Sequence, residues 1–198
     1  MQLDTDEVLM GPGAFKSCLE KADFGGFAAI LYPARWLFQK AGDSLYLERC
    51  DRLWRIQADY PGPVAVRAGT RLRLARQCDV KTFRADFDAH SKTPVPTRDP
   101  AVHSVVKSGQ GIAHFSWVRS EEEMRRKTTG WGHSKDRDWN PRLQQWISAR
   151  RHPWRTVMAT PFVTSESRFR LARVALSAAQ APRGGGTCDL RRITPPQC

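Results

Sequence analysis

The apolar residues of this chain occur in short runs that end at glycine or proline, and this pattern limits the fold to short strands and helices. Residues 27–32, for example, form an apolar run between Gly25-Gly26 and Pro33. Such boundaries are typical of a buried strand. No run reaches the roughly 18 apolar residues of a transmembrane helix, and the amino terminus lacks the basic and then apolar pattern of a secretory signal.

A chain of 198 residues is long enough for one domain with its own core, since a domain of this size buries roughly 70% of the surface of its unfolded chain. The contents of hydrophobic residues, 40%, and of charged residues, 26%, are those of an ordinary globular protein. We expect an α/β domain over residues 1–160, a basic amphipathic helix over residues 161–180 and a disordered tail over residues 181–198. The glycine run at residues 184–186 marks that tail.

The first half of the chain predicts one helix and one hairpin. A helix is expected to begin at Pro12 and end near Asp23, and its apolar face carries Phe15, Cys18, Leu19 and Ala22. Residues 64–67 and 72–74 alternate in polarity around Gly69, which predicts a hairpin of short strands.

The second half predicts a strand followed by helices. Residues 111–118 have the composition of a strand, and Ser120 with Glu123 forms a capping box directly after it. A second helix is expected to begin at Asn140-Pro141, and residues 166–179 have the pattern of a basic helix.

The net charge of +12 comes from 32 lysines and arginines against 20 acidic residues. Such a field attracts polyanions: nucleic acid, anionic lipid headgroups or the diphosphate of a nucleotide. A solvated basic surface accounts for the same charge equally well. The five cysteines show no metal-binding or disulfide spacing, which favours reduced thiols in the cytoplasm.

Two segments contain residue types that bind divalent cations. Asp4-Thr5-Asp6 is an Asp-x-Asp motif, whose paired carboxylates suit a hard cation that also binds phosphate oxygens. His114 lies in an apolar strand, and a neutral imidazole is also a metal ligand. The competing interpretations are a surface acidic pair and a hydrogen-bonded core histidine. His133 is a candidate for a second functional histidine. The competing interpretation is a helix-end residue that interacts with the dipole of the helix carbonyls.

Residues 3–9 resemble the Asp-x-Asp-Glu segment of family 2 glycosyltransferases and their relatives with the GT-A fold. Residues 111–117 resemble the segment of Gly-Trp-His-Phe-Ser type in the same group, which includes the family 17 N-acetylglucosaminyltransferases. Glu123, the basic residues that follow it and residues 132–134 resemble the next helix and its ending. Ile112-Ala113 stands where the family has a tryptophan before the histidine.

The resemblance implies a partial, Rossmann-like GT-A domain with carboxy-terminal helices, because only three residues precede the Asp-x-Asp motif. It implies metal-dependent transfer of a sugar from a nucleotide-sugar donor to an acceptor hydroxyl. Asp4, Asp6 and Glu7 then match the donor-binding positions. Asp4, Asp6 and His114 match the ligands of Mn²⁺ or Mg²⁺.

Other roles remain as sets of candidates. Asp43 and Glu48 are candidates for the catalytic base. The candidates for binding the diphosphate are Arg67, Arg71 and Lys127. Most of the seven tryptophans are expected in the core, with one or two lining a site.

The acceptor is unknown, and two further partners are suggested by charge. A basic segment at residues 168–173 suits contact with a membrane surface, at which the protein would be peripheral. The rival function is a basic nucleic-acid-binding module without catalytic activity, supported by the arginines of residues 67–76 and 150–155.

Overall fold

The computed structural model describes residues 1–51, 53–73, 76–88, 101–130, 138–159 and 168–176. These residues form a mixed α/β structure with two sheets and several helices, which confirms the predicted class. The helices are α1 (Pro12–Phe24), α2 (Glu121–Gly130), α3 (Asn140–Arg151) and α4 (Pro153–Ala159). The strands are β1 (Glu7–Leu9), β2 (Ala29–Leu31), β3 (Ala34–Lys40), β4 (Leu45–Cys50), β5 (Ala58–Asp59), β6 (Ala65–Val66), β7 (Thr82–Phe87), β8 (Ser104–Val106), β9 (Ile112–His114) and β10 (Arg168–Arg173).

The larger sheet has the strand order β1-β9-β3-β4-β10, and β5 pairs with β3 beside this path. Strands β3 and β9 are parallel, and the other pairs of this sheet are antiparallel. The smaller sheet has the order β6-β2-β7-β8. Strand β7 is parallel to both β2 and β8, whereas β6 is antiparallel to β2.

Helix α1 begins at Pro12, as predicted, and covers the smaller sheet through a core that includes Ile30 and Phe83. Three of the four residues on its predicted apolar face are buried, namely Phe15, Cys18 and Ala22. Leu19 is 38% exposed and lies at the margin of that face.

Helices α2, α3 and α4 pack against the larger sheet around the buried indole of Trp146. The indole N–H of Trp146 donates to the carbonyl oxygens of Phe38 and Trp117, at 3.0 and 2.8 Å. One side chain thus joins α3 to β3 and to the segment after β9. Because a buried indole N–H needs an acceptor, these bonds help to fix the position of α3.

A buried ion pair stabilises the centre of the larger sheet. Glu48 on β4 is fully buried and accepts hydrogen bonds from Arg35, at 2.5 and 3.2 Å, and from Arg170, at 3.0 Å. Two arginines around one carboxylate satisfy the charge that burial would otherwise leave unpaired.

The predicted basic helix is wrong where the structure describes it. Arg168–Arg173 forms strand β10, which pairs along its whole length with β4. Phe169 packs in the core beside Phe38, so pairing with β4 overrides the local helical pattern. The predicted tail, residues 181–198, lies outside the described residues.

The predicted hairpin around Gly69 is also wrong. Ala65–Val66 pairs with β2 instead, and the described part of residues 72–74 forms no strand. In the part of the chain that the structure describes, Cys18, Cys50 and Cys78 are free thiols. Within the described ranges, no helix has the length and apolar character needed to cross a bilayer.

Candidate ligand-binding site

Strand pairing brings the two cation-binding segments together. Strands β1 and β9 are antiparallel neighbours, and Glu7 lies opposite His114 in their register. The ladder continues toward the Asp-x-Asp motif, because the backbone N–H of Phe115 donates to the carbonyl oxygen of Asp6 at 2.7 Å. Asp6, which directly precedes β1, thus comes next to the end of β9 that carries His114.

Asp6 is shared between His114 and an arginine. Its Oδ1 lies 3.7 Å from Nε2 of His114, and its Oδ2 accepts a hydrogen bond from Arg119 at 3.1 Å. Arg119 also donates from Nε to the carbonyl oxygen of Ser116 at 2.9 Å, which holds its guanidinium over the turn after β9. Asp6 remains 22% exposed and His114 15% exposed, so both are accessible from the cavity that they line.

These residues line an open cavity of about 570 Å³ between the start of the chain, the end of β9 and helix α2. A cavity of this size suits a small organic ligand. Its lining side chains include three acidic residues and three basic residues besides the histidine. The lining residues are Asp4, Thr5, Asp6, His114, Ser116, Arg119, Glu123, Arg126, Lys127 and Gly130.

Helix α2 supplies four of these residues, three of them with charged side chains. The capping box is confirmed, because Ser120 and Glu123 exchange hydrogen bonds of 2.9 to 3.2 Å through side chains and backbone. Residues at positions i, i+3 and i+4 of a helix share a face, and Glu123, Arg126 and Lys127 have this spacing. The cap thus fixes the start of a helix that presents two cations to the cavity.

Lys127 is the basic residue placed deepest in the site. Its ammonium donates to the carbonyl oxygen and the hydroxyl of Ser116, at 2.8 and 2.5 Å. Burial lowers the pKa of Lys127 to about 8; nearby Arg119 lowers it further, while Asp6 opposes the shift. Burial removes water that would stabilise the charged ammonium of Lys127. An anionic ligand next to it would stabilise that charge instead.

Two buried residues, Glu7 and Arg76, hold the loop that carries the Asp-x-Asp motif from the side of the protein interior. The buried carboxylate of Glu7 pairs with Arg76 at 2.5 and 3.1 Å and accepts the backbone N–H of Asp4 at 3.0 Å. Arg76 also lies 3.1 Å from the carboxylate of Asp4. Glu7 therefore supports the loop from the protein interior, with its side chain fully buried.

The side chains at this cavity provide only part of the usual ligands of a metal ion. In the ranges described, no three side chains of His, Cys, Asp or Glu type are grouped so that they could hold a metal ion. Asp6 and His114 do offer one carboxylate and one imidazole nitrogen at the same cavity, whereas Asp4 is paired with Arg76. Mg²⁺-type sites commonly use one or two protein carboxylates together with substrate phosphates and water. The pair thus suits a cation that arrives with a phosphate ligand.

The other predicted site residues lie elsewhere. Glu48 is fully buried between Arg35 and Arg170, and Asp43 is exposed in the turn between β3 and β4; neither is among the residues lining the cavity. Arg67 pairs with Asp23 on the surface, and Arg71 is exposed. Lys127 is therefore the diphosphate candidate that the fold brings to the site, while His133 lies outside the described residues.

Most of the described tryptophans lie in or against the core, as expected, but none of them is among the residues lining the cavity, where one or two were predicted. Trp117, Trp139 and Trp146 are buried, whereas Trp36 and Trp54 are partly buried against the same core. Trp154 is 68% exposed, and Trp131 lies outside the described residues.

Three residues at or beside the site were not predicted from the sequence, namely Ser116, Arg119 and Asp59. Ser116 and Arg119 lie between the histidine strand and the capping box, so their position could have shown that they border the site. Asp59 comes near His114 only through the pairing of β5 with β3, for which the sequence carries no local signal.

A larger cavity of about 890 Å³ lies on the other side of Arg76. Its lining combines Leu31, Pro61 and Pro63 with Arg76 and Lys81. Arg76 is already paired with Glu7 and Asp4. We place the candidate site at the smaller cavity, because a carboxylate, an imidazole and several cations converge there.

Comparison with protein-family models, curated proteins and solved structures finds no match for this chain.

Proposed function

We propose that this chain binds a nucleotide-sugar donor in the cavity between β1, β9 and α2 and transfers its sugar to an acceptor hydroxyl. The observation that carries the proposal is the convergence of Asp6 and His114 with Arg119 and Lys127 at one cavity. Carboxylate, imidazole and fixed cations are the groups that a diphosphate and its divalent cation require.

The proposal includes a partial GT-A domain. It is supported by an Asp-x-Asp motif at the start of strand β1 and by the antiparallel strand β9 that carries His114. The two segments that resemble glycosyltransferase motifs are far apart in the sequence, yet they are direct neighbours in the sheet. Chance resemblance of two unrelated segments gives no reason for such contact.

In the proposed reaction, Arg119 and Lys127 bind the diphosphate and hold it next to the Asp-x-Asp loop. Asp6 and His114 would hold Mn²⁺ or Mg²⁺, which when bound neutralises charge on the departing diphosphate. The oxygen of the acceptor hydroxyl attacks the anomeric carbon and gives its proton to a general base, while the bond from that carbon to the diphosphate oxygen breaks and the nucleoside diphosphate leaves. Preformed charges lower the barrier because they need no reorganisation as charge develops.

The Glu7–Arg76 pair has a supporting role. It fixes the backbone of Asp4 before any ligand arrives, so the loop loses less conformational freedom on binding. The catalytic base is not assigned to Asp43 or Glu48, the candidates named from the sequence, because neither lines this cavity.

Calorimetric titration tests this function. The purified chain is titrated with UDP- and GDP-sugars, with and without Mn²⁺, alongside Asp6→Asn, His114→Ala and the surface control Asp23→Asn. We expect binding of at least one donor that requires Mn²⁺, is weakened tenfold or more in the two site variants and is unchanged in the control.

Absence of nucleotide binding by the folded wild type would contradict the proposal. Binding of DNA or RNA that falls steeply with salt, needs no Mn²⁺ and is unchanged by Asp6→Asn would favour the rival nucleic-acid-binding module.

A further inference from the structure

The imidazole of His114 lies between two carboxylates that come from different strands. Its Nε2 is 3.7 Å from Oδ1 of Asp6, on the cavity side, and its Nδ1 is 3.9 Å from Oδ2 of Asp59. Nδ1 is buried, and it has no hydrogen-bond partner among the described residues. Asp59 is therefore a charged acceptor within a short movement of a nitrogen that needs a partner.

The sheet register places Asp59 on the same face as His114. Asp59 lies opposite Ala34 where β5 pairs with β3, and Trp36, two residues after Ala34, lies opposite His114 where β3 pairs with β9. Residues paired across strands, and residues two apart along a strand, point to one face of a sheet. The side chains of Asp59 and His114 are thus directed to the same side.

The carboxylate of Asp59 is itself held in place. Its Oδ1 accepts the backbone N–H of Tyr60 at 3.1 Å, and the hydroxyl of buried Tyr60 donates to the carbonyl oxygen of Ala85 at 3.1 Å. One oxygen of Asp59 is thereby anchored near the smaller sheet, while the other faces His114. Asp59 is not among the residues lining the cavity, so it lies behind the imidazole as seen from the ligand.

We propose that Asp59 is a positioning residue for His114: its carboxylate accepts the Nδ1 proton, so Nε2 keeps its lone pair for the ligand side. A neutral imidazole has one donor nitrogen and one acceptor nitrogen, and the partner of one nitrogen decides the role of the other. Carboxylates placed in this way orient metal-binding histidines and raise their basicity. The inference rests on the proposed function for what Nε2 binds, but the contact itself does not.

The separation of 3.9 Å closes by a small rotation of either side chain. Hydrogen bonds in ligand-free sites are often long and shorten when the ligand binds. A cation at Nε2 would draw electron density from the ring and make the Nδ1 proton a stronger donor to Asp59.

Long-range ¹H–¹⁵N NMR of the histidine rings in the full chain tests the proposal, because it reports which ring nitrogen carries the proton. His114→Gln assigns the signals. We expect protonation at Nδ1 in the wild type and in Asp59→Asn, whose amide oxygen still accepts. In Asp59→Ala the proton should move to Nε2, while the control Asp23→Ala keeps the wild-type pattern.

The second readout is binding of Mn²⁺ with UDP, measured by calorimetry. We expect affinity to fall 10- to 100-fold in Asp59→Ala, which is the usual effect of losing a partner of a metal-binding histidine. In Asp59→Asn, which keeps an acceptor oxygen, the loss should be less than about threefold. Protonation at Nε2 in the wild type, or an unchanged Nδ1 proton in folded Asp59→Ala, overturns the proposal. A proton shift in Asp59→Ala with no binding of Mn²⁺ or UDP by the wild type supports the Asp59 contact and overturns the proposed function.

Discussion

The charge of the Lys127 ammonium depends on pH close to neutrality. Burial lowers its pKa to about 8, so the charge is lost as the pH rises through that value. A bound diphosphate favours the charged form of Lys127. We therefore expect affinity for UDP to fall between pH 7 and pH 9.

Lys127→Met tests this role, because methionine keeps a long chain and removes the charge. The loss of one charge-assisted contact corresponds to roughly tenfold weaker UDP binding. The variant should also lose the decline in affinity between pH 7 and pH 9, as followed by titration at several pH values. A wild-type decline that persists in Lys127→Met would assign the pH dependence to another group.

Arg76 and Glu7 are expected to contribute to both folding and binding. Arg76→Met leaves the fully buried carboxylate of Glu7 without its guanidinium partner. Breaking such a buried pair costs about 3–5 kcal/mol, which urea denaturation measures. Arg73→Met is the matched control, since Arg73 pairs with Asp79 on the surface. Its cost should stay below about 1 kcal/mol, and equal losses in both variants would contradict this account.

At the scale of elements, Trp146 connects helix α3 to the larger sheet. Trp146→Phe keeps most of the apolar contact but leaves the carbonyl oxygens of Phe38 and Trp117 without the indole donor. We expect a loss of about 1–3 kcal/mol in the free energy of unfolding, since buried acceptors lose a partner. Trp154→Phe, on an exposed side chain, provides the control. Similar stability of both variants would show that the two bonds contribute little.

The elements that the sequence predicted are those with local signals. Pro12 marks the start of α1, and Ser120 with Glu123 marks the start of α2, because caps act within one helical turn. The sequence did not predict β10, since Arg168–Arg173 becomes a strand through its pairing with β4, far away in the chain. A segment with a helical pattern can form a strand where tertiary packing outweighs local propensity.

The same distinction holds for the site. Asp6 and His114 were identified from residue type and resemblance, and the pairing of β1 with β9 brings them together. Lys127 was one of three cations named, and only the packing of α2 selects it. Asp59 could not be found from the sequence, because its approach to His114 depends on the register of three strands, β5, β3 and β9.

At the scale of the whole molecule, the net charge of +12 predicts weak attraction to any polyanion. Such binding should decrease steeply with salt and should not depend on Asp6, because it reflects the field of many exposed arginines. Binding at the proposed site should instead need Mn²⁺ and be weakened in Asp6→Asn. Fluorescence titrations of single-stranded DNA and of UDP at two salt concentrations distinguish binding through the overall positive charge from binding at the proposed site. Equal effects of Asp6→Asn on both ligands would show that the cavity has no special role.

The central claim is that Asp6 and His114 hold a divalent cation against a nucleotide diphosphate. The most direct test is X-ray diffraction from crystals grown with UDP and Mn²⁺, with anomalous data that locate manganese. The account predicts a manganese peak beside the Asp6 carboxylate and Nε2 of His114, in contact with diphosphate oxygens and next to Lys127. UDP bound in another place, or manganese bound away from both side chains, would contradict it.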